Sequence, residues 1–208
     1  MNYLKMTSFI AVAIACLITA LGAAEASATV LCKTADGKTC KSGWGYESRP
    51  IHAVLDPGTG NAKITTTFKN VECGKSTIEA TILGEGGATE TIRAEVSVFS
   101  FEECNCEVKT LEKGTLEIHY TSGTNGMLTS NEAEFTVTCS TIFGNVHCIY
   151  VTANTSLGTI TGGSPATVDV EGANIPRAST SALCSEKANL DAKYEITDPS
   201  PLYVSAET

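Results

Sequence analysis

Apolar and polar residues alternate along most of this chain, and this period of two most constrains its fold. The clearest run sets Ile92, Ala94, Val96 and Val98 between polar neighbours. Successive side chains of a β-strand point to opposite faces, so the run predicts a strand with one buried and one solvated face. Further alternating runs span 116–120, 135–139, 146–150 and 190–196. No helical pattern of useful length competes after residue 28, so an all-β fold is expected.

Turn signals separate these runs at the spacing typical of a sandwich or barrel. They include Asp56-Pro57-Gly58, Asn125-Gly126 and Gly162-Gly163-Ser164-Pro165. We therefore expect an antiparallel β-sandwich of about ten strands, with a β-barrel as the alternative. Residues 29–50 alternate less, and they predict a small N-terminal cap tied by its own disulfide.

The first residues resemble a cleavable signal peptide. Lys5 gives a positive n-region, residues 6–21 form an apolar run, and Ala26-Ser27-Ala28 supplies the small residues of a cleavage site. The alternative is a retained membrane helix, but this Ala-rich stretch is barely long enough to span a bilayer. We expect residues 1–28 to be removed, which leaves one β domain over 29–208 that is secreted, or held non-covalently at the cell surface.

Cysteines give the second strong signal. Cys16 falls in the predicted signal peptide, so the mature chain keeps eight: Cys32, Cys40, Cys73, Cys104, Cys106, Cys139, Cys148 and Cys184. An even number of cysteines in a secreted chain predicts four disulfides. The alternative, a metal site, would need cysteine and histidine at ligand spacing, and the sequence lacks that spacing.

Local spacing narrows the 105 pairings that eight cysteines allow. Cys32 and Cys40 flank a turn-rich loop, and Cys139 and Cys148 flank a predicted hairpin turn at 143–145, so these are the two favoured bridges. Cys104 and Cys106 are better placed to reach neighbouring strands than each other, because residues two apart in a strand lie near the upper distance limit for a disulfide. Cys73 and Cys184 remain as their expected partners.

Charge and composition limit the kinds of partner that this protein is expected to bind. The formal net charge is -9, and it stays -9 after cleavage because residues 1–28 hold one lysine and one glutamate. Without a cluster of Lys and Arg, neither nucleic acid nor an anionic membrane surface is an expected partner. No later stretch predicts membrane insertion after signal cleavage. The sequence names no specific partner.

A search for catalytic patterns predicts no enzyme. The chain lacks a G-x-S-x-G elbow, and the histidines His52, His119 and His147 each fall within a predicted strand, where a structural role is more common than a catalytic one. Glu102 and Glu103 are adjacent, so on a strand they point to opposite faces and cannot act on one sugar together. We expect no catalytic residue, no metal site and no cofactor.

Two sequence features suggest binding. Trp44, Tyr46 and Tyr150 are the candidate ligand-facing aromatics, although Trp44 is more readily a plug over one end of the fold. The stiff segment 198–201 precedes an alternating segment at 202–205, which could pair with an open edge of a second molecule. The alternative is that this segment completes its own sheet, as most terminal strands do. Self-association through the C-terminal segment or an edge strand is thus one hypothesis.

The chain also resembles a group of small, secreted, cysteine-containing β-sandwich proteins of bacteria that have no assigned activity. The residues that carry the resemblance are Thr29-Val30-Leu31-Cys32-Lys33, Cys40, Cys104-Asn105-Cys106, Gly162–Thr167 and Pro201–Val204. More distantly the layout is similar to β-sandwich proteins of biofilm matrix, in architecture alone. The resemblance implies export and an all-β fold.

Two functions follow as expectations. The first is a non-enzymatic extracellular or cell-surface protein with a structural or interaction role, kept folded by its disulfides. The alternative is an extracellular binding module for a polysaccharide or a small ligand.

Overall fold

The computed structural model describes residues 29–35, 46, 48–84, 86, 91–142 and 144–206. Within those ranges the chain forms fourteen strands and no helix, which confirms the all-β class. The strands are β1 (Thr29–Cys32), β2 (Pro50–Leu55), β3 (Ala62–Thr65), β4 (Asn70–Ile82), β5 (Ile92–Cys104), β6 (Glu107–Glu112), β7 (Thr115–Ser122), β8 (Asn125–Asn131), β9 (Glu134–Thr141), β10 (Gly144–Val151), β11 (Thr155–Thr161), β12 (Ala166–Pro176), β13 (Lys187–Asp198) and β14 (Tyr203–Ala206). The predicted signal peptide, Cys40 and Trp44 lie outside the described residues. The described part contains no helix that is long and apolar enough to span a membrane.

The main sheet closes on itself as a barrel of eight strand positions. Its order is β12–β11–β8–β7–β5–β4–β2–β13, and β13 pairs again with β12. The barrel expected as the alternative therefore fits this sheet, whereas the sandwich is not confirmed. Alternation is the same in both architectures, and the two differ only in which distant strands pair.

One barrel position is shared by two strands. β2 and β3 both lie between β4 and β13, and both run antiparallel to β4. The loop between them starts at Asp56, whose carboxylate accepts a hydrogen bond from Gly58 N at 2.8 Å. The turn predicted at Asp56-Pro57-Gly58 is thus present, but the chain continues in the same direction beyond it.

A smaller sheet, β10–β9–β6, lies between the far halves of β5 and of the β12–β13 hairpin. On one side Thr110 Oγ1 donates to Phe99 O, and on the other Tyr150 forms a β-bridge with Arg177. Each strand of this sheet continues directly into or out of a barrel strand: β6 into β7, β8 into β9, and β10 into β11. The connecting turns therefore gather where the two sheets meet.

The two ends of the described chain pair with each other. β1 and β14 form an antiparallel ladder from Thr29↔Ala206 to Cys32↔Tyr203. Leu202 and Val204 are fully buried, and Val204 N donates to Thr124 O. The C-terminal segment is therefore paired within its own chain, and the first part of the expected N-terminal cap is a strand of this terminal pair.

Three disulfides join described residues: Cys73–Cys104, Cys106–Cys139 and Cys148–Cys184. Cys32 is also disulfide-bonded, while its expected partner Cys40 lies outside the described residues. The expected bridge Cys139–Cys148 is wrong. The predicted β9–β10 hairpin is present, but its register places Cys139 opposite Val146, so Cys139 and Cys148 are offset diagonally by two positions.

The observed bridges follow the strand register. Cys73 lies opposite Cys104 in the β4–β5 ladder, with 3.9 Å between their Cα atoms. Glu107 pairs with Thr138, so the preceding Cys106 lies beside Cys139. Cys73 bonds Cys104, which is one of its two expected partners. Cys184 is expected to bond the other cysteine of the Cys104/Cys106 pair, but it bonds Cys148 instead.

Candidate ligand cavity

The closed barrel encloses an apolar cavity of about 40 Å³. Its wall is built from inward-facing aliphatic side chains of seven barrel strands: Ile78, Val96, Leu116, Leu128, Leu157, Val168, Val170, Ile175 and Leu190. Phe135 of β9 contributes from the smaller sheet. An eight-stranded barrel is just wide enough to be filled by side chains or to admit one small ligand, so a cavity here is a candidate site.

The hydroxyl groups in the wall are occupied by one another. Ser130 Oγ and Thr152 Oγ1 lie 3.0 Å apart, and Thr152 Oγ1 also accepts from Ala133 N. Tyr194 OH lies 2.9 Å from Ser76 Oγ, which itself donates to Ser100 O; Tyr194 is therefore the donor to Ser76. These groups stabilise the barrel and leave the cavity surface apolar.

Tyr194 is fully buried, and burial raises its pKa to about 12 by disfavouring the phenolate. Its hydrogen bond to Ser76 acts in the opposite direction but is the smaller effect. The hydroxyl is thus a neutral donor over the whole ordinary pH range.

The cavity opens beside Lys113. Lys113 and Phe99 line both the cavity and a groove of about 370 Å³ between β5 and β6. Among the described residues that line the cavity and the groove, the charged ones are Lys109 and Lys113. No ion pair joins either lysine to another described residue. The charged side chains that line the mouth are therefore both positive, on a protein whose net charge is -9.

The groove exists because β5 has two different neighbours along its length. In the described part of the chain, β5 pairs with β7 over Ile92–Glu95, and beyond that point only β4 remains as its ladder partner. A β-bulge at Ser97 places Val96 opposite Ala80 and Val98 opposite Glu79. The extra residue reverses the alternation and turns Phe99 and Phe101 inwards.

The tight turn Lys113-Gly114 fixes the mouth. Gly114 has φ +66°, and a Cβ at this position would lie 2.3 Å from Asn131 O and 2.4 Å from Ala133 N. Only glycine fits a left-handed conformation packed this closely against the next turn. Lys113 is consequently held against the junction between the barrel and the smaller sheet.

Comparison with protein-family models, curated proteins and solved structures finds no match. The resemblance to small secreted bacterial proteins therefore stays a prediction.

Of the three candidate ligand-facing aromatics, Tyr46 and Tyr150 are buried, and Trp44 lies outside the described residues. Tyr150 is fully buried, and its hydroxyl lies 2.9 Å from Ser185 Oγ. Tyr46 is 5% exposed and donates to Pro201 O, while Lys33 Nζ lies 5.4 Å from its ring centre. Burial raises the pKa of both tyrosines. They are packing residues, because their hydroxyls and most of their ring surface are covered.

The histidines lie on separate strands, as the sequence indicates. His52 Nδ1 is 2.8 Å from Thr197 Oγ1, and His147 Nδ1 is 2.9 Å from Thr138 Oγ1. His119 Nε2 is 3.8 Å from a Glu117 carboxylate oxygen. Among the described residues, no group of three or more His, Cys, Asp or Glu is arranged to hold a metal ion.

Sequence reasoning missed the residues that line the cavity mouth. The alternation of 92–98 predicts that Val98 faces inwards and Phe99 outwards. The bulge at Ser97 reverses this, and no local sequence signal marks the bulge. Lys113 had one signal, the following Gly114 between two alternating runs, which is typical of a turn. That signal places the lysine in a loop but cannot show that the loop borders a cavity.

Proposed function

We propose that this protein is exported from a bacterial cell and acts, without catalysis, as an extracellular binding module for a small molecule with an apolar group. The observation that carries the proposal is the apolar cavity inside a closed barrel, with an opening beside Lys113. Three disulfides between described residues support an oxidising compartment. The predicted signal peptide supports export.

The size of the cavity limits the bound group. A volume of about 40 Å³ has room for roughly three water molecules. The apolar part of the ligand is therefore a short chain or small branched group. A larger remainder would lie in the groove between β5 and β6, which is open to solvent.

Xenon is a suitable probe of the cavity, because it is neutral, apolar and small. Methyl resonances of Leu128 and Val168 should shift under xenon pressure, while those of surface methyl groups should not. Leu128→Phe fills the cavity and should abolish these shifts. Met127→Phe is the matched control, because Met127 directly precedes Leu128 on β8, is 44% exposed and faces outwards. A folded Leu128→Phe protein that keeps the wild-type shifts would contradict the proposal.

The alternative function is a structural or interaction role through an exposed edge. Within the described part, β6 has a ladder partner on one side only, β9, and its Leu111 is 42% exposed. Unpaired strand edges can pair with another chain. Size-exclusion chromatography of the mature protein separates the two functions, because edge pairing predicts discrete oligomers and cavity binding predicts a monomer.

A further inference from the structure

We propose that the ligand is an amphipathic carboxylate, whose short apolar tail enters the barrel and whose carboxylate pairs with Lys113. This inference rests on the proposed function and adds the chemical class of the ligand. Its basis is the different character of the two spaces that meet at Phe99 and Lys113.

The cavity selects for an apolar tail. The hydroxyls in its mostly aliphatic wall are already hydrogen-bonded, Ser130 with Thr152 and Tyr194 with Ser76. A polar group buried there would lose its hydrogen bonds to water without replacement. Only the part of a ligand that needs no polar partner is therefore stable inside.

The mouth selects for a negative head group. Lys113 is exposed and still lines the cavity. A lysine in such a position can cover an apolar opening with its stem while its ammonium group stays in solvent. Lys113 forms no ion pair with another described residue. A carboxylate at the mouth gains a charge-assisted hydrogen bond without breaking an existing pair.

Neighbouring carboxylates tune this site. Glu112 and Glu134 lie opposite each other in the β6–β9 ladder, next to Lys113 in the fold, but neither lines the cavity or the groove. Their negative charge opposes an anion at the mouth and is screened by salt. Glu112→Gln should therefore strengthen carboxylate binding.

Butyrate and 1-butanol test the inference, because both contain four carbon atoms in an unbranched chain and they differ in charge. Titration of the mature protein at low salt, followed through the methyl resonances of Leu128 and Val168, should show butyrate binding at least about tenfold more tightly than 1-butanol. Lys113→Met should remove this preference while 1-butanol still binds. Lys109→Met is the matched control and should keep most of it.

The outcomes separate the two proposals. Equal affinities for butyrate and 1-butanol, or a preference that survives in Lys113→Met, would overturn the carboxylate inference and leave the cavity function standing. If neither compound nor xenon shifts the cavity methyl groups, the proposed function fails and the inference fails with it. A normal xenon response in Lys113→Met shows that the variant has kept its fold.

Discussion

Tyr194 is the residue that most clearly links burial to a measurable pH dependence. Its pKa is about 12 in the folded protein and 10.0 in an exposed tyrosine. Between these values the unfolded chain loses the proton and the folded chain keeps it, so stability should fall as the pH rises from 10 to 12. Across this pH range the free energy of unfolding should fall by on the order of 2–3 kcal/mol.

Tyr194→Phe tests this assignment. At pH 9 the variant should be less stable by about 1 kcal/mol, because the buried hydrogen bond to Ser76 is lost. Urea unfolding at pH 9 and pH 11 should then show a smaller loss of stability in the variant than in the wild type. Equal losses would mean that the Tyr194 hydroxyl does not carry the pH dependence.

Gly114 and Gly123 separate backbone strain from crowding. Both have left-handed backbones, with φ +66° and +62°, but a Cβ at Gly123 has no neighbour within 4 Å. Gly123→Ala should cost about 1 kcal/mol of unfolding free energy, from conformational strain alone. Gly114→Ala should cost several times more, because its Cβ meets the backbone of Asn131 and Ala133. Thermal denaturation measures both, and similar costs would refute the close packing at the cavity mouth.

At the scale of elements, the disulfides join strands that are held by other contacts to different degrees. The three bridges span 31, 33 and 36 residues, so the chain-entropy model gives each about 4 kcal/mol. The β4–β5 ladder extends from Cys73 to Ile82 and holds those strands without the bridge. Cys184 lies in the segment between β12 and β13, which contacts β10 through a few bonds such as Ala178 N to Ile149 O.

Paired alanine substitutions should therefore have different local effects. Cys148→Ala with Cys184→Ala should raise amide hydrogen exchange selectively across 177–186 and β10. Cys73→Ala with Cys104→Ala should lower the global unfolding free energy by a similar amount, with no selective opening of β4 or β5. Uniform exchange in both variants would show that the segment is held equally well by its other contacts.

At the scale of the whole molecule, a row of aromatic rings joins the barrel to the smaller sheet. Phe99, Phe101, Phe135 and Tyr150 follow one another with ring centres 4.8, 6.2 and 5.7 Å apart. Phe135 is 1% exposed and lies in the middle of this row. The two sheets therefore share one core, and we expect them to unfold together.

Phe135→Ala should test this cooperativity. The loss of a buried ring should cost about 3–5 kcal/mol and lower the protection of amides in both the barrel and the smaller sheet. Ile142→Ala is the control. Ile142 lies in the turn between β9 and β10 and is 93% exposed, so its substitution should change the stability little. If exchange rises in the smaller sheet while the barrel keeps its protection, the sheets are independent units.

Sequence and structure agree where the cause is local. The alternation of Phe135, Val137 and Cys139 sets which face of β9 is buried, because a strand turns successive side chains to opposite sides. The hairpin turn after β9 and the turn at Asp56 also follow from neighbouring residues. These features needed no knowledge of distant contacts.

Only the tertiary structure decided barrel closure, disulfide partners and the cavity. Closure depends on β13 pairing with β2, two strands that lie far apart in the sequence. Cys139 bonds Cys106 and not Cys148, which is nearer in the sequence, because strand register sets which Cα atoms lie within disulfide distance. Phe99 and Lys113 meet at one opening because β5 is bulged and changes neighbours along its length. Alternation fixes which face a side chain occupies, but long-range pairing fixes what that face encloses.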